Sequence, residues 1–265
     1  MHTISLRDGA KLQVDVSGNG PSFVLISGLG GTAKFWNPLV EALGPTVHTV
    51  RFDQRGIGAS ERGNEPANIK SLAEDTWEII DALGIERPVL CGHSTGGAIA
   101  QEMELVRPSQ TAGVVLSGSW AGPDQFIESM FNIRLDLLTQ LPHRYAGLSA
   151  LLGSPPRWLH GNNTILQQAI AHTPNEVDAN VIRERIGALL AHDCRDRLSQ
   201  LTAAALVLGA EDDMIIPVYL QEELASLLNN SKLHIFDRGG HFFPVTRPAD
   251  TAAAILPWLA SLEML

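Results

Sequence analysis

The chain has 265 residues, of which 45% are hydrophobic and 18% are charged, and its formal net charge is −10. This length allows one large domain, or a domain with an inserted cap. The negative charge argues against a nucleic acid or an anionic membrane as a partner. The apolar runs are too short for a transmembrane helix, and the first residues lack the apolar segment of a signal peptide. We therefore expect a cytoplasmic protein that does not bind membranes.

The first 118 residues are predicted to alternate between strands and helices. Short apolar runs that end in glycine or proline indicate buried strands, and apolar residues at helical spacing indicate helices. Such an alternation is typical of a parallel sheet with helices on both faces. In chain order the sequence predicts a hairpin of 3–6 with 11–16, a strand over 22–27, a helix over 35–43, a strand over 47–52, a helix capped by Ser71 and ended by Gly84, and strands before Gly92 and over 111–117.

The alternation stops between residues 119 and 196, where no strand is predicted. Apolar residues at 126, 130, 133, 137 and 141 have helical spacing, and a capping box at 173–176 predicts a helix that runs to Leu190. The alternation resumes with strands over 203–209 and 232–236 and a helix over 217–228. A last helix begins at Pro248 and is kinked or ended by Pro257.

A serine flanked by glycines lies between an apolar run and an alanine-rich helical run. Gly92, Ser94 and Gly96 form the pattern G-x-S-x-G in the context of a strand, a sharp turn and a helix. Glycine is needed on both sides because a Cβ there would collide with the neighbouring strand and helix. The pattern predicts a strained backbone and an exposed nucleophilic hydroxyl at Ser94, with the His93 side chain pointing away from it.

This pattern resembles that of the α/β-hydrolase family, and the resemblance extends over nearly the whole chain. It implies an α/β-hydrolase fold, with a mostly parallel sheet and helices on both faces. The hydrolase core would comprise 1–118 and 197–265, with 119–196 as a helical lid. The catalytic order in the family is serine, acid, histidine. His241 fits that order, because it follows the last predicted strand in a Gly-Gly-His turn.

The acid is one of two neighbouring aspartates. The family pattern G-x-x-D-x-x-x-P places the acid four residues before a proline, which selects Asp213 before Pro217. Counting from Gly209 selects Asp212 instead. The proline marks a helix start, so we favour Asp213, and the other aspartate is then a loop residue or a helix cap.

The oxyanion of such a reaction requires fixed hydrogen-bond donors. One is predicted to be the backbone N–H of Thr95, at the start of the helix, and the resemblance implies that the other is the N–H of Leu29. An anionic substrate would need an arginine, for which Arg134 and Arg157 are candidates. The side chains expected in the substrate pocket are Ser27, Trp120, Phe126, Met130 and Phe242.

The predicted function is hydrolysis of a small carboxylic ester, lactone or related acyl compound through an acyl-enzyme on Ser94. No cofactor and no metal are expected, and the protein is expected to be a monomer or a homodimer. The loops at 26–31 and 52–58 look like those of aminoacrylate hydrolases and 3-oxoadipate enol-lactonases. An amide or C–C hydrolase is therefore one alternative, and a ligand receptor with the same fold is another.

A remote alternative is a dinucleotide-binding enzyme. Gly28, Gly30 and Ala33 fit the pattern G-x-G-x-x-A, and Asp53 follows the next strand. This interpretation would leave the combination of Ser94 and His241 unexplained.

Overall fold

The strands form one sheet in the computed structural model, which describes residues 2–172 and 176–262. They are β1 (His2–Ser5), β2 (Lys11–Ser17), β3 (Ser22–Ile26), β4 (His48–Phe52), β5 (Val89–His93), β6 (Gly113–Ser117), β7 (Ala205–Ala210) and β8 (Ser231–Phe236). Their order in the sheet is β1-β2-β4-β3-β5-β6-β7-β8. Only the pairs β1–β2 and β2–β4 are antiparallel. The predicted α/β-hydrolase fold is confirmed.

Helices cover both faces of this sheet. They are α1 (Asn37–Leu43), α2 (Ile69–Ala82), α3 (Thr95–Val106), α4 (Gln125–Gln140), α5 (Pro142–Gly153), α6 (Pro156–Gly161), α7 (Asn163–Ala171), α8 (Glu176–Leu190), α9 (Val218–Leu227), α10 (Phe243–Thr246) and α11 (Pro248–Ser261). Short 3₁₀ helices occupy Ala33–Trp36 and Arg195–Gln200. Within 2–172 and 176–262, no helix is long and apolar enough to cross a membrane.

Helices α4 to α8 form an insert between β6 and β7, which we call the helical insert (125–190). As predicted, the described residues between these two strands contain no strand. Of the capping box predicted at 173–176, residues 173–175 lie outside the described residues. Helix α8 does extend to Leu190, as the sequence predicted.

The sheet separates two hydrophobic cores. Successive strand side chains point to opposite faces, so Val24 and Ile26 of β3 pack into one core while Phe23 and Leu25 pack into the other. The first core also contains residues of α2, α3 and the helical insert, and the second contains residues of α1 and α11. Both faces of the parallel strands are therefore buried, which explains their nearly continuous apolar sequences.

One predicted helix boundary, the N-cap of α2, was wrong, and one of the two alternatives for Pro257 is excluded. The N-cap of α2 is Asn68, whose side chain accepts the N–H of Ser71. Ser71, the predicted cap, lies inside the helix and donates its hydroxyl to the carbonyl of Asn68. Pro257 does not end α11, which continues to Ser261.

A buried ion-pair network fixes the loop that follows β4. The Arg55 side chain is fully buried, and its Nε and Nη2 each donate to Asp75 over 2.8 Å. Its Nη1 donates to Asp8 over 2.6 Å. The carboxylate of Asp53 accepts the N–H groups of Ala33 and Ala59. These contacts join the loop after β4 to α2 and to the β1–β2 turn, so the loop has a structural role.

We expect Asp75→Asn to lower the free energy of unfolding by about 2–3 kcal/mol, because it leaves part of the buried Arg55 charge without its partner. The matched control is Asp81→Asn, since Asp81 pairs with Arg107 at the surface and its side chain is 55% exposed. An exposed pair contributes less than about 1 kcal/mol. Urea unfolding of both variants measures the difference, and equal losses would contradict this account.

Candidate active site

The turn between β5 and α3 holds Ser94 in a strained conformation. Its φ is +56° and its ψ is −122°, values that non-glycine residues rarely adopt. The turn is held by a 2.8 Å hydrogen bond from the Ser94 N–H to the Ser117 carbonyl. A Cβ on Gly92 would come within 2.1 Å of the Gly96 carbonyl oxygen, and a Cβ on Gly96 within 2.0 Å of the Ile26 carbonyl oxygen. The two glycines therefore allow the close approach of strand, turn and helix.

His241 and Asp213 form a buried pair at the carboxyl ends of β7 and β8. The distance from His241 Nδ1 to Asp213 Oδ2 is 2.8 Å, and the two residues are 2% and 5% exposed. The other carboxylate oxygen of Asp213 accepts the N–H groups of Ile215 and Ile216, at 2.8 and 2.9 Å. This carboxylate is thereby fixed toward the imidazole, and it favours the tautomer with a proton on Nδ1.

Asp212 has a different partner. Its Oδ1 accepts the N–H groups of Gly239 and Gly240, at 2.8 and 2.7 Å. These glycines have φ values of +151° and +62° and directly precede His241. Asp213 therefore binds the imidazole of His241, whereas Asp212 binds the backbone of the loop 237–242, which we call the histidine loop.

Ser94 and His241 line the same cavity, of about 340 Å³. No hydrogen bond joins the Ser94 hydroxyl to the His241 ring in the described part of the chain. Catalytic hydrogen bonds of this kind often shorten only when substrate binds.

His93 does not point away from this cavity, contrary to the sequence prediction. Its ring lies 4.7 Å from the His241 ring and stacks on Phe35 at 4.8 Å, centroid to centroid. Its Nδ1 lies 3.1 Å from the Ser117 hydroxyl, and its Nε2 is buried without a partner among the described residues. Burial and the nearby His241 lower the pKa of His93 well below its usual value. His93 is therefore a neutral ring packed behind His241.

The cavity walls come from the core and from the helical insert. The core contributes Gly28–Gly31, Phe35, His93, Ser94, Ile215, His241 and Phe242, and the insert contributes Phe131, Arg134, Tyr145, Ala146, Ser149, Ala150, His172 and Ile182. Of the five predicted pocket side chains, only Phe242 is among them. The backbone N–H of Leu29 belongs to a lining residue, and Thr95 begins α3, so its N–H has no acceptor within the helix.

The other four pocket predictions were wrong for identifiable reasons. The Ser27 hydroxyl is buried and donates to the Thr32 carbonyl. Trp120 is completely buried in the core. Phe126 is 41% exposed on the outer face of α4, and Met130 packs against the core.

Phe126 and Met130 were misplaced because α4 carries two apolar stripes with the same helical spacing. Phe126 and Ile133 of the predicted stripe are exposed, and the buried face lies one residue further along at Ile127, Phe131 and Leu138. Arg134 interrupts this second stripe, so a search for apolar periodicity favours the wrong face.

The glycines of the dinucleotide alternative belong to the serine site. A Cβ on Gly28 would lie 3.1 Å from the Ser94 Cβ. Both carboxylate oxygens of Asp53 bind loop N–H groups, so this residue does not present a carboxylate to a ribose. These contacts argue against a dinucleotide site.

Comparison with known proteins gives a consistent picture. The sequence model described as the alpha/beta hydrolase family matches residues 23–254. The chain is 32% identical over 244 residues to a protein of Azorhizobium caulinodans named "Putative carbamate hydrolase RutD", with 90% of this chain and 91% of that protein covered. A protein of the same name from Variovorax paradoxus is 35% identical over 252 residues, covering 92% and 94%.

Solved structures have the same fold. The enol-lactonase of Burkholderia xenovorans LB400 superposes with a TM-score of 0.86 over 98% of this chain and 100% of that chain. The sequence identity of this pair is 22%, so the comparison bears on the fold alone.

We expect Gly96→Ala to destabilise the protein by about 3 kcal/mol or more, because its Cβ has no space beside the Ile26 carbonyl. The control is Gly187→Ala, which lies in α8 and has no atom within 4 Å of the added Cβ. The free energy of unfolding of that variant should rise by up to about 1 kcal/mol, since alanine is the better helix former. Thermal unfolding of the two variants measures these changes, and a neutral Gly96→Ala would refute the steric explanation.

Proposed function

Because the chain belongs to the α/β-hydrolase family, we propose that it is a serine hydrolase that cleaves a small carboxylic ester, lactone or related acyl compound. The observation that carries this proposal is the 2.8 Å hydrogen bond between His241 and Asp213 beside the cavity that Ser94 lines. A serine hydroxyl is a weak nucleophile, and an adjacent base that is oriented by a third group activates it.

In the proposed mechanism Ser94 Oγ attacks the acyl carbon while Nε2 of His241 takes its proton. Asp213 holds the imidazole in position and stabilises its positive charge. The N–H groups of Leu29 and Thr95 donate to the oxyanion of the tetrahedral intermediate. His241 then protonates the leaving group, and water hydrolyses the acyl-enzyme by the same steps in reverse.

We assign the role of a lid to the segment 119–196, between the core segments 1–118 and 197–265. The support is that side chains of α4, α5 and α8, among them Phe131, Tyr145 and Ile182, line the cavity over Ser94. The insert also contacts the histidine loop, because the Phe242 N–H donates to the Gly153 carbonyl over 2.7 Å. A lid in this position restricts the size of the substrate and excludes water.

Carbamate cleavage is a second candidate reaction. It is favoured by the names of the two relatives, which match this chain over about nine-tenths of its length. A carbamate carbonyl could be attacked by Ser94 in the same way. A panel that contains nitrophenyl esters, lactones and carbamates of equal size separates the two candidates.

Intact-mass labelling with a fluorophosphonate tests the central assignment. The wild type should gain one label per chain, and Ser94→Ala should gain none. Labelling together with ester or carbamate turnover supports the serine hydrolase. Labelling with tight ligand binding but no turnover would favour a receptor of the same fold. An unlabelled wild type would refute a reactive Ser94.

We expect Asp213→Asn to lower kcat by about 10³- to 10⁴-fold, because the amide no longer orients the imidazole or stabilises its charge. The matched control is Asp212→Asn, whose amide oxygen can still accept the N–H groups of Gly239 and Gly240. The kcat of that variant should fall by less than about 10-fold, as expected when neutral hydrogen bonds are retained. Steady-state kinetics on the best substrate of the panel measure both effects. A similar fall in kcat for both variants would contradict the assignment of Asp213.

A further inference from the structure

A buried arginine borders the cavity that contains Ser94 and takes no part in the proposed mechanism. Arg134 lies on α4, is 5% exposed and is one of the lining residues. Arginine side chains are rarely this buried unless a negative charge accompanies them. The contacts of Arg134 therefore indicate whether its negatively charged partner belongs to the protein or to a ligand.

In the described part of the chain, the groups that contact the Arg134 guanidinium are neutral. Its guanidinium carbon lies 4.8 Å from the ring centroid of Phe131 and 5.1 Å from that of Tyr145. Nη2 donates to the Tyr145 hydroxyl over 3.1 Å and to the Ser149 hydroxyl over 3.0 Å. Aromatic rings and hydroxyls fix the orientation of the guanidinium without neutralising it.

The remaining donors of this guanidinium are unused. Among the side chains that the structure describes, 2–172 and 178–262, Nε is buried without a hydrogen-bond partner, Nη1 makes no hydrogen bond, and no carboxylate forms an ion pair with Arg134. By contrast, the buried Arg55 has carboxylate partners in Asp8 and Asp75. The positive charge at the cavity wall thus has no counterion in the described structure.

A second buried arginine, Arg185, shows that burial alone does not indicate a ligand site. Among the described side chains Arg185 has no carboxylate partner either, but its Nη1 and Nη2 donate to the Gln54 side chain and the Arg55 carbonyl. Arg185 joins α8 to the loop after β4 and is not among the cavity-lining residues. What distinguishes Arg134 is that its free donors belong to a wall of the cavity.

We infer that Arg134 binds a carboxylate carried by the acyl substrate, an inference that rests on the proposed function. The substrate class is then a short ester, lactone or carbamate with an anionic carboxylate at the end remote from the bond that is cleaved. The chain has a net charge of −10, which disfavours an anionic ligand at long range. A fixed cation in a mainly apolar cavity overcomes this repulsion locally and selects for the anion.

The first test compares pairs of 4-nitrophenyl esters that differ only in the tail. Half-esters of succinate, glutarate and adipate are measured beside the primary amides of the same length, with uncatalysed hydrolysis subtracted. The wild type should prefer the acid at one chain length by roughly 10- to 100-fold in kcat/KM, the range expected for a hydrogen-bonded charge pair. Equal rates for acid and amide at every length would overturn the inference.

Variants test whether Arg134 causes the preference for the acid over the amide. Arg134→Gln should lower the ratio of kcat/KM for the acid to kcat/KM for the amide to about one, since a neutral side chain does not distinguish a charged tail from a neutral one. Arg134→Lys should retain part of the preference. The matched control is Arg157→Gln, an exposed arginine on α6 that does not line the cavity, and it should change neither rate. Equal loss for both tails in Arg134→Gln would overturn the inference.

A binding measurement separates this inference from the proposed function. Titration calorimetry of the wild type with glutarate and with glutaramide needs no reactive serine. Tighter binding of the diacid, lost in Arg134→Gln and retained in Arg157→Gln, supports the carboxylate site even if fluorophosphonate labelling of Ser94 fails. Equal or absent binding of both compounds contradicts the site, even if Ser94 is labelled and neutral esters are hydrolysed.

Discussion

The rest of the site depends on the close approach of three backbone segments around Ser94. The Ser94 turn has a φ of +56°, and the carbonyl of Ile26 occupies the space where a side chain on Gly96 would lie. This contact holds the start of α3 against the end of β3. The proposed oxyanion donors, the N–H groups of Thr95 and Leu29, come from these two places. The strain at one residue is thereby maintained by packing of the central sheet, which cannot relax locally.

The remaining catalytic candidates reach the serine because the sheet is parallel. Strands β5, β7 and β8 all end at the same edge, and Ser94, Asp213 and His241 lie one, three and five residues beyond those ends. Each candidate is held by its own local contacts. The carboxylate of Asp213 is fixed by the N–H groups after it, and the loop before His241 is fixed by Asp212. Two adjacent aspartates thus serve two different hydrogen-bonding tasks.

The features that could be predicted from the sequence are those for which only a few residue types fit. Glycines around a serine, a proline after an aspartate and alternating strands and helices each have a local steric cause, so the fold and the order of the candidate triad were accessible. The cavity walls were not, because α4 presents two apolar stripes of equal spacing, and the correct one contains Arg134. The orientation of His93 was missed for a related reason, since its ring is fixed by Ser117 and Phe35, which are distant in sequence.

The core could be predicted and the cavity walls could not because the core and the helical insert are under different physical constraints. The core must satisfy the geometry of the Ser94 turn, whereas the insert must only cover the cavity and remain attached to the core. Two of its polar attachments lie on α8: Arg62 pairs with Glu184, and Arg185 binds the loop that contains Gln54. Neither contact involves the faces of α4 and α5 that line the cavity. A buried, unpaired cation on such a face is costly for folding, so its presence over the serine favours a role in selecting the substrate.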